Sequence, residues 1–278
     1  MRTTRVKLAD LLAQITQQLQ NAQIPRSARE AQLLCMYYFQ KDELWLITQH
    51  NSEVEVDQEF FSWVDRRCNA EPLEYIVQKV SFYSQEFYID QGALIPRPET
   101  ELLIDEVLTH IPDRLSSYQF VEVGIGSGII SILLAQHLPN ATFIGVDISK
   151  EALRVAQKNI QKFNLESRIK LKHGSFLEPI DTPIDYLVSN PPYIADDTQL
   201  EKNLSFEPQN ALFGGKIGDE MIKKLLDEVL SRPIRFFSCE MGYDQKGKIQ
   251  NYLINKQYKK IKFYKDYSDF DRGFTIEV

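Results

Sequence analysis

The sequence predicts an α/β protein: a seven-stranded, mostly parallel sheet with an antiparallel hairpin at its edge, preceded by a small helical bundle and a β-hairpin linker. Three observations carry this. From about residue 118, short β-rich runs alternate with amphipathic helical patterns, which is the signature of a parallel sheet covered on both faces. Before residue 75 the apolar residues recur at helical spacing instead. Between the two regions, Tyr75–Lys79 and Phe82–Ile89 alternate with period two and are rich in β-branched and aromatic residues, as in a strand pair.

Residues 1–74 read as all helix. Leu8, Leu11, Leu12, Ile15 and Leu19 form one apolar face. Ser27 opens a second helix, with Glu30 placed as in a capping box, and that helix carries Leu33, Leu34, Met36, Tyr37 and Phe39. Asp42 and Asp57 are positioned to cap two more, containing Leu44, Trp45, Leu46 and then Phe60, Phe61, Trp63, Val64. An apolar stripe at this spacing reads as core; a partner-binding surface is the alternative. Pro98, with acids just after it, marks the start of a helix containing Leu102, Leu103, Val107 and Leu108. The alternating region follows: strands at Phe120–Val123, Thr142–Val146, Ile169–Lys172, Tyr186–Ser189 and Ile234–Glu240, with helices at Ile129–His137, Lys150–Phe163, Asp219–Leu230 and Gln245–Ile254. Ile261–Tyr264 and Phe274–Val278 have no helix between them, so one strand of this final pair runs antiparallel to the rest.

Composition narrows the class. With 43 % hydrophobic and 26 % charged residues, the chain of 278 residues is neither disordered nor fibrous, and it is long enough for two domains. A net charge of −7 disfavours a protein that wraps a phosphate backbone, although residues 246–265 hold seven lysines and no acid. Those lysines read as a wet face, with attraction of an acidic partner as the alternative. Cys35, Cys68 and Cys239 are scattered and odd in number, so neither a disulfide framework nor a metal site is expected and a reducing compartment fits. The first twenty residues are basic and then amphipathic rather than continuously apolar, so they read as a helix and not a signal peptide. Without an apolar run of membrane-spanning length, the expected location is the cytoplasm.

Two motifs carry chemistry. Glu122-Val123-Gly124-Ile125-Gly126-Ser127-Gly128 follows a strand and opens a helix, so its backbone N–H groups are accessible to a ligand. Asp147 ends the next strand, where a carboxylate is placed to accept both hydroxyls of a ribose. The glycine spacing is GxGxG rather than GxGxxG, which suits S-adenosylmethionine (SAM) better than NAD or FAD. The alternative is a tight turn with Asp147 capping the helix from Lys150. The second motif, Ser189-Asn190-Pro191-Pro192-Tyr193, lies at the end of another strand, so it should face the same crevice. Its prolines remove two N–H donors, leaving the Asn190 side-chain carbonyl and the Pro191 backbone carbonyl as acceptors for a planar –NH2 group, on which Tyr193 is able to pack. An ordinary turn with Tyr193 in the core is the competing reading.

Gly124–Gly128, Asp147 and Asn190–Tyr193 resemble the SAM loop and the (D/N/S)PP(Y/F/W) motif of amino-group methyltransferases. The wider context is more specific. Pro72–Ile76, Ile95–Glu101, Phe206-Glu207-Pro208, Ala211–Gly215 and Glu240-Met241-Gly242 with Gln245 all resemble the bacterial release factor glutamine methyltransferases, the PrmC/HemK family, across the whole chain. The resemblance implies a bundle for substrate recognition at 1–74, a hairpin linker at 75–90 and a Rossmann-like SAM-dependent domain at 91–278. It implies methylation of the side-chain amide nitrogen (N5) of the glutamine in the GGQ motif of class I peptide chain release factors. Carried over residue by residue, Glu122 and Gly124, Ile125, Gly126, Ser127 and Gly128 would hold the methionine part of SAM. Asp147 would hold the ribose, Phe176 would lie beside the adenine, and Asn190, Pro191, Pro192 and Tyr193 would hold the glutamine. No metal is implied, and nothing demands more than a monomer. Arg97 and Glu99 would order the joint into the domain, and Glu207 would brace the active-site loop.

The chain departs from the family pattern at Glu122 (usually Asp), Ile125 (usually Thr), Gln78 and Asp269 (usually Gly) and Ile217 (usually an acid). Methylation of an exocyclic amine in DNA or RNA uses the same motif logic and is the alternative activity, though the acidic balance of residues 1–74 does not read as a nucleic-acid surface. A non-catalytic SAM-binding adaptor would not need Asn190–Tyr193.

Overall fold

The structure, a computed structural model, describes residues 3–278. The chain divides into two compact units, Met1–Lys79 with Glu201–Phe206, and Val80–Leu200 with Glu207–Val278.

In the first unit, α1 (Leu8–Asn21), α2 (Ser27–Phe39), α3 (Glu43–Thr48), α4 (Gln58–Cys68) and α5 (Leu73–Val77) surround a core of Leu8, Leu11, Ile15, Leu19, Leu34, Phe60 and Val64. The predicted caps form: Asp42 accepts from the Trp45 N–H at 2.9 Å, and Asp57 from the Glu59 and Phe60 N–H groups at 2.9 and 3.3 Å. The unit is not all helix, however. β1 (Thr4–Lys7) pairs antiparallel with β2 (Glu53–Val56), from Thr4 opposite Val56 to Lys7 opposite Glu53. Each strand is only four residues long, too short for its alternation to stand out from the helical pattern around it. The capping box at Ser27 does not form either. Arg26 holds the cap position with φ 52°, Ser27 is the first helical residue and its hydroxyl donates to the Ile24 carbonyl at 2.6 Å. Glu30 turns away to pair with Arg67 at 2.8 Å.

The strand pair starts later than its alternation suggests. Tyr75–Val77 belongs to α5, whose turns close on the Pro72 carbonyl, and the strands are β3 (Lys79–Phe82) and β4 (Gln85–Tyr88). Tyr83 and Ser84 both take positive φ at the hairpin tip, 51° and 58°, as a two-residue primed turn requires. Glu101 accepts from the Tyr83 N–H, and Asp105 from its hydroxyl at 2.7 Å, which fixes a turn whose residues do not favour it.

In the second unit α6 (Thr100–Thr109) precedes the alternating region: β5 (Gln119–Val123), α7 (Ile129–His137), β6 (Thr142–Asp147), α8 (Lys150–Lys162), β7 (Ile169–His173), β8 (Tyr186–Ser189), β9 (Ile194–Ala195), β10 (Phe213–Gly215), α9 (Glu220–Leu230), β11 (Phe236–Glu240), α10 (Lys246–Leu253), β12 (Lys260–Lys265) and β13 (Asp271–Glu277). The seven-stranded sheet has the order β12-β13-β11-β8-β5-β6-β7. β13 alone runs antiparallel to its neighbours, wedged between β11 and β12. Phe120, Phe143 and Tyr186 stack across three adjacent strands at 4.8 Å between centroids. α7 is buried at every position from Ile129 to Ala135, which explains its almost uninterrupted apolar sequence. The short parallel pair β9–β10 had no legible sequence signal. No described helix is long and apolar enough to cross a membrane.

Two of the departures from the family pattern have a common geometry. Gln78, the C-cap of α5, has φ 56°, and Asp269, between β12 and β13, has φ 66°. Both stand in the left-handed region that glycine occupies without cost. Asp tolerates it better than Gln because its short polar side chain bonds locally. Replacing the exposed Gln78 by glycine should therefore raise stability by up to about 1 kcal/mol, offset in part by the entropy of the unfolded chain. Equilibrium denaturation of Gln78→Gly checks this, and a loss of stability would contradict it.

Candidate active site

The two sequence motifs meet because their strands are neighbours. β5 and β8 run parallel with Val123 opposite Ser189, and the Ser189 hydroxyl donates to the Val123 carbonyl at 2.8 Å. Gly124 and Asn190 therefore leave the sheet side by side. β6 is the other neighbour of β5: its Val146 carbonyl accepts from the Gly124 and Ile125 N–H groups at 2.8 and 3.0 Å. Asp147 then accepts from the Gly126 N–H at 3.0 Å with one oxygen and from the Ser149 N–H at 2.9 Å with the other. The cap of α8 is Ser149, not Asp147.

A cavity of about 480 Å³ opens at these strand ends, within the range of small-molecule sites. Its wall includes Glu122, Gly124, Ile125, Gly126, Ser127, Asp147, Phe176, Asn190, Pro191 and Pro192. Of the predicted site residues only Gly128 and Tyr193 lie outside it. Gly128 serves as the N-cap of α7 at φ 81°, where a Cβ would come within 3.3 Å of Ala156. The wall also contains Thr100 and Ile148, which the sequence did not single out.

The two acids in the wall lie in different surroundings. Glu122 is 1 % exposed and accepts from both the N–H and the hydroxyl of Ser131 in α7. Burial pushes its carboxyl up to about 8, against the pull of the Ser131 bonds. Asp147 is also raised by burial, opposed by the N–H groups of Ser149 and Gly126. Among the described residues no Lys or Arg forms an ion pair with either. Phe176 takes φ 52°, an unusual conformation for a bulky residue and one often seen at binding sites. The ammonium of Lys224 sits 4.0 Å from its ring centre.

The segment Asn190–Tyr193 is held by three anchors. The Asn190 amide NH2 donates to Thr100 Oγ1 at 3.1 Å, and the Thr100 hydroxyl donates to Glu240 at 2.7 Å. The Tyr193 hydroxyl donates to the other oxygen of Glu240 at 3.2 Å. Glu240 is 2 % exposed and burial pushes it up to about 7; burial and Glu240 together raise Tyr193. Behind these, the buried Gln245 amide donates to the Tyr193 and Gly218 carbonyls at 3.0 Å each and accepts from the Gly242 N–H. Beside the cavity residues Pro96 and Pro208, Glu207 accepts from the Ile95 N–H at 3.0 Å and pairs with Arg97, while Glu99 faces Arg272 at 3.8 Å. Glu207 and Arg97 thus tie residues 95–97 to the loop before β10.

Fold and site together define a methyltransferase with a Rossmann-like sheet, and comparison with known proteins agrees. Residues 10–77 match the PrmC N-terminal domain family and residues 98–211 the methyltransferase small domain family. A release factor glutamine methyltransferase of Clostridium acetobutylicum is 32 % identical, over 96 % of this chain and 97 % of its own. One of Koribacter versatilis is 37 % identical over 81 % and 82 %. Among solved structures, the hMettl16 catalytic domain in complex with MAT2A 3′UTR hairpin 6 superposes with a TM-score of 0.58 at 18 % identity, over 69 % of this chain and 74 % of that one. The N-terminal domain of human METTL16 in complex with SAH is similar in fold, with a TM-score of 0.50 at 17 % identity over 69 % and 75 %. The chain belongs to the family of release factor glutamine methyltransferases.

Proposed function

We propose that the protein transfers a methyl group from SAM to the side-chain amide nitrogen of the glutamine in the GGQ motif of class I peptide chain release factors, with the unit at the N-terminus recognising the release factor. One observation carries the reading: the Asn190–Pro192 acceptors and the Gly124–Ser127 loop line a single cavity. Two buried or half-buried carboxyls that form no ion pair with a Lys or Arg among the described residues fit a ligand that bears an ammonium and a sulfonium charge. Gly124, Ile125, Gly126, Ser127 and Glu122 would hold its methionine part, Asp147 its ribose, and Phe176 and Ile148 its adenine.

When bound, SAM supplies an electrophilic methyl. An amide nitrogen is a weak nucleophile, so positioning has to carry much of the barrier; a near-attack arrangement contributes on the order of 7–11 kcal/mol. Asn190 Oδ1 and the Pro191 carbonyl accept the two amide hydrogens and present one face of the nitrogen. As positive charge grows there, both N–H groups become better donors, so these acceptors bind the transition state more tightly than the ground state. No base is needed before transfer, since the acidified proton is free to leave afterwards. The seven lysines of residues 246–265 offer little free positive surface: Lys246, Lys248, Lys256, Lys262 and Lys265 each pair with a carboxylate outside the tract. This supports a protein acceptor over a phosphate backbone.

Labelled SAM with release factor, a GGQ-to-GGA variant and DNA as acceptors tests the proposal. Label should appear on the intact release factor alone; label on DNA, or equally on the variant, would sink it. Asn190→Ala should lower kcat roughly 10²–10³-fold while SAM affinity hardly changes, by analogy with loss of one preorganised polar partner. Glu122 gives a pH signature. Its carboxyl, pushed up to about 8, is mostly protonated at pH 7 in the free protein. A cation alongside favours the ionised form, so SAM binding should release a proton at pH 7 and tighten as pH rises toward 8. Calorimetry in buffers of different ionisation enthalpy should show that release in the wild type and not in Glu122→Gln; equal behaviour of the two would refute the assignment.

A further inference from the structure

We infer that Thr100, held by Glu240, dictates which end of the Asn190 amide faces the reacting centre, making both of them positioning residues for the proposed transfer. The inference rests on that transfer. The two ends of an amide are chemically opposite: the oxygen accepts and the nitrogen donates. Only the oxygen serves a substrate –NH2. The terminal torsion of an asparagine is broad and two-fold, so an unrestrained Asn190 would have a flipped state available in which its NH2 meets the substrate NH2.

Thr100 removes that state. Its hydroxyl carries one proton, which it gives to Glu240 Oε2 at 2.7 Å. Above pH 7 Glu240 is mostly ionised and only accepts, taking the Tyr193 hydroxyl on its other oxygen, so the direction of this bond is fixed there. Toward Asn190 the hydroxyl then has lone pairs alone, and it accepts from Nδ2 at 3.1 Å. A flipped amide would set oxygen against oxygen at a place where Thr100 is 3 % exposed and Glu240 2 %, too dry for water to repair the mismatch. Glu240 is kept from rotating because its second oxygen accepts from the Tyr193 hydroxyl at 3.2 Å. Among the described residues Asn190 Oδ1 has no donor, so it remains available at the cavity wall. The three residues come from three elements: the first residue of α6, the end of β11 and the residue after β8. The sheet aligns β8 with β11, and α6, packed against β11, brings Thr100 to them.

Two substitutions separate this from packing. Thr100→Val keeps the shape and loses the hydroxyl; Thr100→Ser keeps the hydroxyl and loses the methyl. With release factor as substrate at pH 8, where Glu240 is mostly ionised, kcat of Thr100→Val should fall at least about tenfold, while SAM affinity by calorimetry stays within about twofold. Thr100→Ser should stay within about threefold of wild type. Thermal unfolding monitors the fold; should Thr100→Val not fold, Thr100→Ala, which removes the hydroxyl and adds no atom, takes its place. A hydroxyl-free variant as fast as wild type, or a serine variant as slow as the valine one, would overturn the inference while leaving the proposed function intact. A wild-type protein inactive on release factor would overturn both.

Discussion

The constraint on which the site depends is the register between β5 and β8. A shift of one residue along either strand would turn its side chains to the opposite face and separate Gly124 from Asn190. The register is written in ordinary terms: backbone pairing from Phe120 opposite Tyr186 to Val123 opposite Ser189, stacked rings at one end, and the Ser189 hydroxyl on the Val123 carbonyl at the other. The candidate site is hung on strand ends that this pairing aligns. The loop after β5, the acid after β6 and the segment after β8 need no long-range search to find one another. What lies beyond the strands is held by buried polar contacts instead: Gln245 on the Tyr193 carbonyl, and Glu207 on Ile95 and Arg97.

The parts legible in the sequence are those governed by local periodicity. In a sheet covered on both faces, the alternation of strand and helix locates β5 to β8 and their helices to within a residue or two. The last two strands announced themselves by the absence of a helix between them. Other features escaped for identifiable reasons. β1 and β2 are four residues each, too short for a period to show, and they sit far apart in sequence. Tyr75–Val77 alternates like a strand but lies just after Pro72, whose carbonyl closes a helical turn. Ser27 and Glu30 have the spacing of a capping box, yet the longer-range Arg67 draws Glu30 away. Thr100 and Glu240 are 140 positions apart, so no local pattern could join them. By contrast the resemblance to a family marked Gln78 and Asp269 as glycine positions, and both prove to have positive φ.

Net charge turned out to be a poor guide to the surface. The chain totals −7, and its lysine-rich stretch would suggest a basic patch in an acidic protein. Folding sets most of those lysines beside Asp227, Asp244, Asp269, Asp271 and Glu106. Such exposed pairs add little to stability, but they cancel much of the field that a phosphate backbone would feel. In the cavity wall the situation reverses: among the described residues no Lys or Arg pairs with Glu122 or Asp147, which suits the cationic ligand proposed for them.

On the proposed function, the Asn190–Pro191 acceptors select a planar amide nitrogen as the methyl acceptor. Fragment mass spectrometry of a release factor, after incubation with the protein and SAM, tests it most directly. One added methyl should be found, located on the side-chain amide nitrogen of the GGQ glutamine. A methyl on a lysine, on the backbone or on another glutamine, with the GGQ glutamine unmodified, would contradict it.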